Sequence, residues 1–221
     1  MRGDKMKTQV LSVQYIPNAD PGILKSLRVI KEYHSLGIIT TDCDDVGYSA
    51  LDEATKKAEV RVVYARSMYA GAGNASTKLA GEFIGILAGP NPEEVRSGMD
   101  AAISYIEHDA CFYSANEDDS IVYFAHCISS TGSYLSKECK IDPGQAIAYL
   151  IAPPCEAMKG LDAALKAALK AADVELKKFF GPPSETNFAG GLLTGDQAAC
   201  KAACEAFADQ VCRIADDPVE G

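Results

Sequence analysis

The 221-residue sequence predicts an α+β protein of two tandem domains, 1–109 and 110–221, each an antiparallel-rich sheet with helices packed on one side. Three observations carry that prediction. Residues 182–206, PPSETNFAGGLLTGDQAACKAACEA, repeat in altered form residues 69–101, YAGAGNASTKLAGEFIGILAGPNPEEVRSGMDA. Strand-like and helix-like stretches follow one another in the same order in both halves. The helices carry apolar residues on one face only.

The repeat sets the domain count, and such a period has to be found before any motif is read. Its closing helices match residue by residue, from Val95 with Cys200 to Ala101 with Ala206, every pair 105 positions apart. Further upstream, Leu51-Asp52 is echoed by Leu161-Asp162, and Ala58-Glu59-Val60 by Ala172-Asp173-Val174. The second offset is four larger, because AALK at 163–166 is followed by another AALK at 167–170, an insertion of about one helical turn.

The elements follow in order. Residues 10–16 have strand character, 18–22 form a turn, and 23–33 form a short helix or an irregular segment. Residues 36–41 are a strand running into the acidic loop Asp42-Cys43-Asp44-Asp45. A helix over 50–58 places Asp52 and Glu53 in its first turn, where the dipole favours carboxylates. Strand 60–64, loop 68–78, strand 83–87 and an amphipathic helix over 93–106 complete the first domain. In the second, Phe112 opens an extended stretch, 121–127 is a strand and 129–136 a polar turn or loop. Strand 146–152, helix 156–172, strand 174–179, loop 181–188, strand 191–194 and helix 197–214 follow, with a polar tail from Asp216.

Composition narrows the function classes. A net charge of −10 and a pI near 4.8 argue against phosphate-backbone binding, which needs clustered Lys and Arg. No apolar run approaches the ~18 residues of a membrane span, and the polar opening 1–7 is no secretory signal. A cytoplasmic protein is expected. The eight cysteines include no CxxC pair; Cys200 and Cys204, one helical turn apart, read as core-facing small residues. His34, His108 and His126 are too scattered for a zinc site. Neither a G-x-S-x-G elbow nor a phosphate loop is present. Gly71-Ala72-Gly73 lacks the third glycine and the following helix of a dinucleotide fingerprint. Nothing calls for a cofactor or a metal, and no catalytic residue stands out.

Two unusual features remain. Asp42, Asp44 and Asp45 crowd one short loop; they either cap the helix beginning near Ala50 and face water, or hold a small cation. The long loops 68–78 and 181–188 are rich in small and turn-forming residues, as loops lining an opening are.

Several long strings resemble the subunit-L family of ethanolamine-utilisation bacterial-microcompartment shell proteins. They are SLGIITTDCDDVGYSALDEATKKAEVRVVYARSMYAGAG (35–73), AGPNPEEVRSG (88–98), TGSYLS (131–136), AYLIAPP (148–154) and PPSETNFAGGLLTGDQAACKAAC (182–204). The resemblance covers nearly everything after residue 10. It implies two circularly permuted bacterial-microcompartment domains and no enzymatic activity. It implies a homotrimer that forms a pseudohexameric tile, joined edge to edge to other shell proteins. The central opening would be bordered by Tyr69, Ala70, Gly71, Ala72 and Gly73 of one domain and by Asn187 and Phe188 of the other. Smaller openings within each chain would be lined by Asp44, Asp45, Phe112, Ser184, Glu185 and Thr186. That acidic and aromatic group suits the ammonium of a small molecule such as ethanolamine. The added turn at 163–170 and the cysteine content depart from the family pattern. A soluble small-molecule sensor built of two α+β repeats, and a thiol enzyme using Cys127 or Cys43, are the competing expectations.

Overall fold

A computed structural model describes residues 1–67, 82–168, 174–182 and 187–219. The elements run β1 (Lys5–Met6), β2 (Val10–Ile16), α1 (Pro21–Ser26), β3 (Ser35–Thr41), α2 (Asp44–Lys57), β4 (Arg61–Ser67), β5 (Phe83–Gly89) and α3 (Pro92–His108). They continue with β6 (Phe112–Ser114), β7 (Val122–Ile128), α4 (Ser133–Cys139), β8 (Ala146–Ala152), α5 (Pro154–Ala168), β9 (Glu175–Phe180), β10 (Ala189–Gly195) and α6 (Gln197–Asp216). The chain folds as two compact units. The N-terminal unit comprises Lys7–Ala110 and Gly132–Leu135; the C-terminal unit comprises Met1–Met6, Cys111–Thr131 and Ser136–Gly221.

In the N-terminal unit the sheet order is β2-β3-β5-β4, every pair antiparallel. Helices α2 and α3 pack on each other and on the same sheet. Leu36, Ile39, Leu51, Phe83, Leu87, Met99 and Ile106 are among its largest fully buried side chains. Pro92 starts α3, with its φ already helical and its missing N–H at a position that needs no partner. Asn91 caps that helix, its side chain accepting from the Glu94 amide at 2.8 Å.

The C-terminal unit repeats that order as β7-β8-β10-β9, again antiparallel, and extends it past β7 with β6 and β1. Helices α5 and α6 pack together over the sheet, around a core that includes Leu150, Leu161, Leu193, Cys200, Phe207 and Val211. Asp196 caps α6, accepting from the Ala199 amide at 2.7 Å; it stands 105 positions after Asn91, as the repeat requires.

Three expectations need correction. Helix α2 begins at Asp44 rather than Ala50, so half of the supposed acidic loop is helix. Cys43 at its N-cap makes no side-chain cap bond, which removed the usual start signal. The supposed loop 129–136 runs into α4, which begins at Ser133. The supposed turn 18–22 runs into α1, which starts at Pro21 behind the Asp20 cap and ends at Ser26, inside the segment 23–33. Among the described residues no helix is long and apolar enough to cross a membrane.

Candidate functional site

The acidic end of α2 is built by the strand that feeds it. Asp42 closes β3 onto the segment before β2: its amide donates to the Gln9 carbonyl at 3.1 Å and its carboxylate accepts the Gln9 amide at 2.7 Å. Burial pushes the Asp42 carboxyl up, with the Gln9 amide pulling it partly back. Thr41 donates its hydroxyl to the Cys43 carbonyl at 2.8 Å. Asp44 and Asp45 then occupy the first turn of the helix and are buried, at 4% and 6% exposure. The Asp45 amide donates to the Asp44 carboxylate at 2.9 Å, and Ser49 donates to the Asp45 carbonyl. Two carboxylates at the positive end of a fourteen-residue helix are favourably placed. They are not solvated loop residues.

One turn further on, Tyr48 packs its ring edge-on to Phe83 at 4.8 Å and stacked with Tyr134 at 6.4 Å. Its hydroxyl accepts the Ser67 amide at 2.9 Å, tying α2 to the end of β4. Nothing local signals this role, because Tyr48 stands outside the acidic string.

Asp52 was expected in the first turn of a helix. It lies instead in the middle of α2, fully buried, with its carboxylate accepting the Gly132 amide at 2.7 Å and the Leu135 amide at 2.8 Å. Thr55 accepts the Ser133 amide at 2.9 Å. The start of α4 is therefore capped by side chains of α2. Gly132 is required there, since a Cβ would fall 2.3 Å from Thr55 Oγ1 and 2.5 Å from the Asp52 carbonyl oxygen.

In the C-terminal unit Phe112 is fully buried, stacked on Phe124 at 5.2 Å and met edge-on by Phe188 at 6.1 Å. Phe124 also stacks on His126 and meets Tyr149 edge-on, each at 5.4 Å. The structure thus brings Phe112 and Phe188 into one aromatic cluster. Asn187 is exposed beside it. Ser184, Glu185, Thr186 and Tyr69, Ala70, Gly71, Ala72, Gly73 lie outside the described residues. The same unit carries an open cavity of about 350 Å³ lined by Gln145, Val174, Glu175, Thr194 and Gly195, none of them an expected site residue.

The expectation of a thiol enzyme finds no support. Cys43 is fully buried, and burial together with the charges of Asp44 and Asp45 pushes its thiol well up. Burial also raises Cys127. Adjacent strand residues point to opposite faces: His126 stacks on Phe124, while the Cys127 sulfur reaches the Gln197 carbonyl at 4.0 Å. No group of three or more metal-ligating side chains forms among the described residues.

Comparison with known proteins gives the same direction. The family profile described as "BMC domain" matches residues 35–116. The matched span starts at β3, so β2, which pairs with β3, lies ahead of it. A bacterial microcompartment shell protein EutL of Clostridium perfringens is 63% identical over 219 residues, covering 99% of both chains. The crystal structure of EutL from Leptotrichia buccalis superposes with a TM-score of 0.91 at 62% identity, covering all of both chains. That of EutL from Clostridium perfringens gives 0.93 at 63%, covering 100% of this chain and 98% of the other. With two copies of one strand-and-helix order and this identity along nearly its whole length, the chain belongs to the EutL family of bacterial microcompartment shell proteins.

Proposed function

We propose that three copies of this chain close into a pseudohexameric tile of a microcompartment shell, in which each repeat, 1–109 and 110–221, supplies one sector. The observation that carries this is the duplication itself. Two units with one sheet order, β2-β3-β5-β4 and β7-β8-β10-β9, offer six near-equivalent sectors from three chains. Closed cyclic symmetry then gives a flat building block that can join other shell proteins at its edges. Such a protein is structural and has no catalytic step of its own. The loops holding Tyr69, Ala70, Gly71, Ala72, Gly73, Asn187 and Phe188 border a gated central opening. The tile belongs to a shell for ethanolamine utilisation.

The smaller openings take a small ammonium compound such as ethanolamine, held by Asp44, Asp45, Phe112, Ser184, Glu185 and Thr186. The burial of Asp44 and Asp45 supports this, because a cation gains more from a carboxylate that water does not screen. Light scattering after size exclusion tests the tile: a particle of three chains is expected, and a stable monomer or dimer would instead favour a soluble sensor. Calorimetric titration with ethanolamine tests the site. Asp44→Asn combined with Glu185→Gln should abolish the binding heat, and unchanged affinity would retire the assignment.

A further inference from the structure

The two repeats differ where the last helix of each meets its sheet. In the N-terminal unit Tyr15 pairs with Gly37 across the β2–β3 ladder. Gly37 is glycine because a Cβ would fall 2.8 Å from both Met99 Cγ and Val95 Cγ1 on α3. The Tyr15 ring lies under the Arg96 guanidinium, 5.0 Å away. In the C-terminal unit the equivalent ladder pair is Cys127 with Ala148. The residues 105 positions after Val95, Arg96 and Met99 are Cys200, Lys201 and Cys204. Three bulky side chains of one repeat, Tyr15, Val95 and Met99, are therefore replaced by three cysteines in the other. The smaller thiols leave room for a methyl group, Ala148, where Gly37 was obligatory.

The placement brings the thiols together. Residues opposite one another in an antiparallel ladder share a face, so Cys127 lies on the side that meets α6, and its sulfur reaches the Gln197 carbonyl at 4.0 Å. Cys200, one turn along α6, holds its sulfur 3.9 Å from the Gly195 carbonyl and against the Ala148 backbone. Cys200 and Cys204 are buried in the core against which Cys127 packs. The sulfurs do not converge as ligands of one metal ion. Cys127 is partly exposed; burial raises its thiol and the nearby Lys201 ammonium pulls it partly back, whereas Cys200 is fully buried.

We propose that Cys127 and Cys200 form a reversible disulfide that clasps β7 to α6. The oxidant is a low-molecular-weight disulfide. The Cys127 thiolate attacks one of its sulfurs, forming a mixed disulfide and releasing one small thiol. The Cys200 thiolate then attacks the Cys127 sulfur, forming the protein disulfide and releasing the second small thiol. Two protons leave the protein thiols, and the two electrons reside in the two small thiols. Burial pushes the Cys200 thiol up to about 11, so the second step is the slow one.

Oxidised glutathione incubated with the full chain tests the clasp. In the Cys155→Ser chain, which lacks the exposed thiol that would take up a glutathione of its own, the intact mass should fall by two hydrogens, the thiol count after denaturation should fall by two from seven, and peptide mapping should join Cys127 to Cys200. A reductant should reverse all three. Cys127→Ser and Cys200→Val should each abolish the bridge, and Cys155→Ser should leave it intact. Cys200→Val places in α6 the residue that α3 already carries, so its fold is testable by an unchanged melting curve, with Cys200→Ala as a second variant. Stable glutathione adducts on Cys127, a bridge that survives Cys127→Ser, a bridge to Cys204, or no reaction while Cys155 is modified would each overturn the proposal.

Discussion

The Asp52 carboxylate accepts the Leu135 amide at 2.8 Å across 83 positions of sequence. With the Gly132 amide on its other oxygen, and Thr55 beside it accepting the Ser133 amide, α2 supplies the cap that α4 lacks in its own sequence. Hydrogen bonds to a buried ionised group are worth about 1.5–3 kcal/mol each, and losing the acceptor strands the donors. Asp52→Ala should therefore cost about 3 kcal/mol, and Asp52→Asn, which keeps one acceptor, about 1–2 kcal/mol. Urea unfolding measures both; a cost for Asp52→Ala within error of zero would remove the cap from the account.

The same carboxylate predicts a pH dependence. Burial holds the Asp52 carboxyl above its ordinary 3.8, and the Gly132 and Leu135 amides pull it partly back. A carboxyl raised in the fold binds its proton more tightly folded than unfolded, so its contribution to stability falls as pH rises from the unfolded value to the folded one. Above the folded value it is level. The stability difference between the native chain and Asp52→Asn should grow as pH drops through that window and stay constant at neutral pH. A difference that shrank on acidification would mean that the amides outweigh burial.

Much of this architecture is legible in the sequence. The repeat predicted two units, and the ladders share one order because Val95–Ala101 and Cys200–Ala206 occupy equivalent helices. Asn91 and Asp196 signal their helices by chemistry that acts within three residues. Longer-range chemistry escaped. Nothing local marks Asp52 as the partner of Leu135, and nothing in TGSYLS marks a helix whose cap lies in another element. Asp44 and Asp45 read as loop because Cys43 offers no capping oxygen. The expected site was therefore only partly legible: its acids belong to a helix end, its Phe112 belongs to an aromatic cluster, and Ser184–Thr186 lie outside the described residues.

Thiol accessibility should divide the cysteines sharply. Cys155 is exposed, Cys127 is partly so, and the other six are buried. The thiolate is the reacting species, and burial raises Cys43, Cys200 and Cys204. Brief iodoacetamide treatment of the reduced native chain near neutral pH should label Cys155 first and leave Cys43 unlabelled until the chain unfolds. Early labelling of Cys43, read by peptide mass spectrometry, would show that the turn between β3 and α2 opens in solution.

Close strand contact makes Gly190 irreplaceable. A Cβ there would lie 1.9 Å from the Leu150 carbonyl oxygen and 2.8 Å from Ile151 Cδ1, inside the β8–β10 ladder. Backbone cannot yield as a flexible side chain does, so Gly190→Ala should cost about 3 kcal/mol by overpacking. The lowered denaturation midpoint should be read beside Gly181→Ala, where the nearest atom is the Phe179 ring at 3.5 Å and little loss is expected. Equal losses in the two variants would mean that the effect comes from the unfolded chain rather than from the ladder.

The paired caps offer a test of the repeat as an energetic unit. Asn91 and Asp196 accept from Glu94 and Ala199 at 2.8 and 2.7 Å, each at the start of the last helix of its unit. Replacing such a cap by alanine costs about 1 kcal/mol. Asn91→Ala and Asp196→Ala should therefore destabilise by similar amounts, and with no shared partner the double variant should lose their sum. Chemical denaturation of the three variants checks this. Two transitions, each lowered only by the loss of its own cap, would mean that the repeats unfold separately and not as one cooperative block.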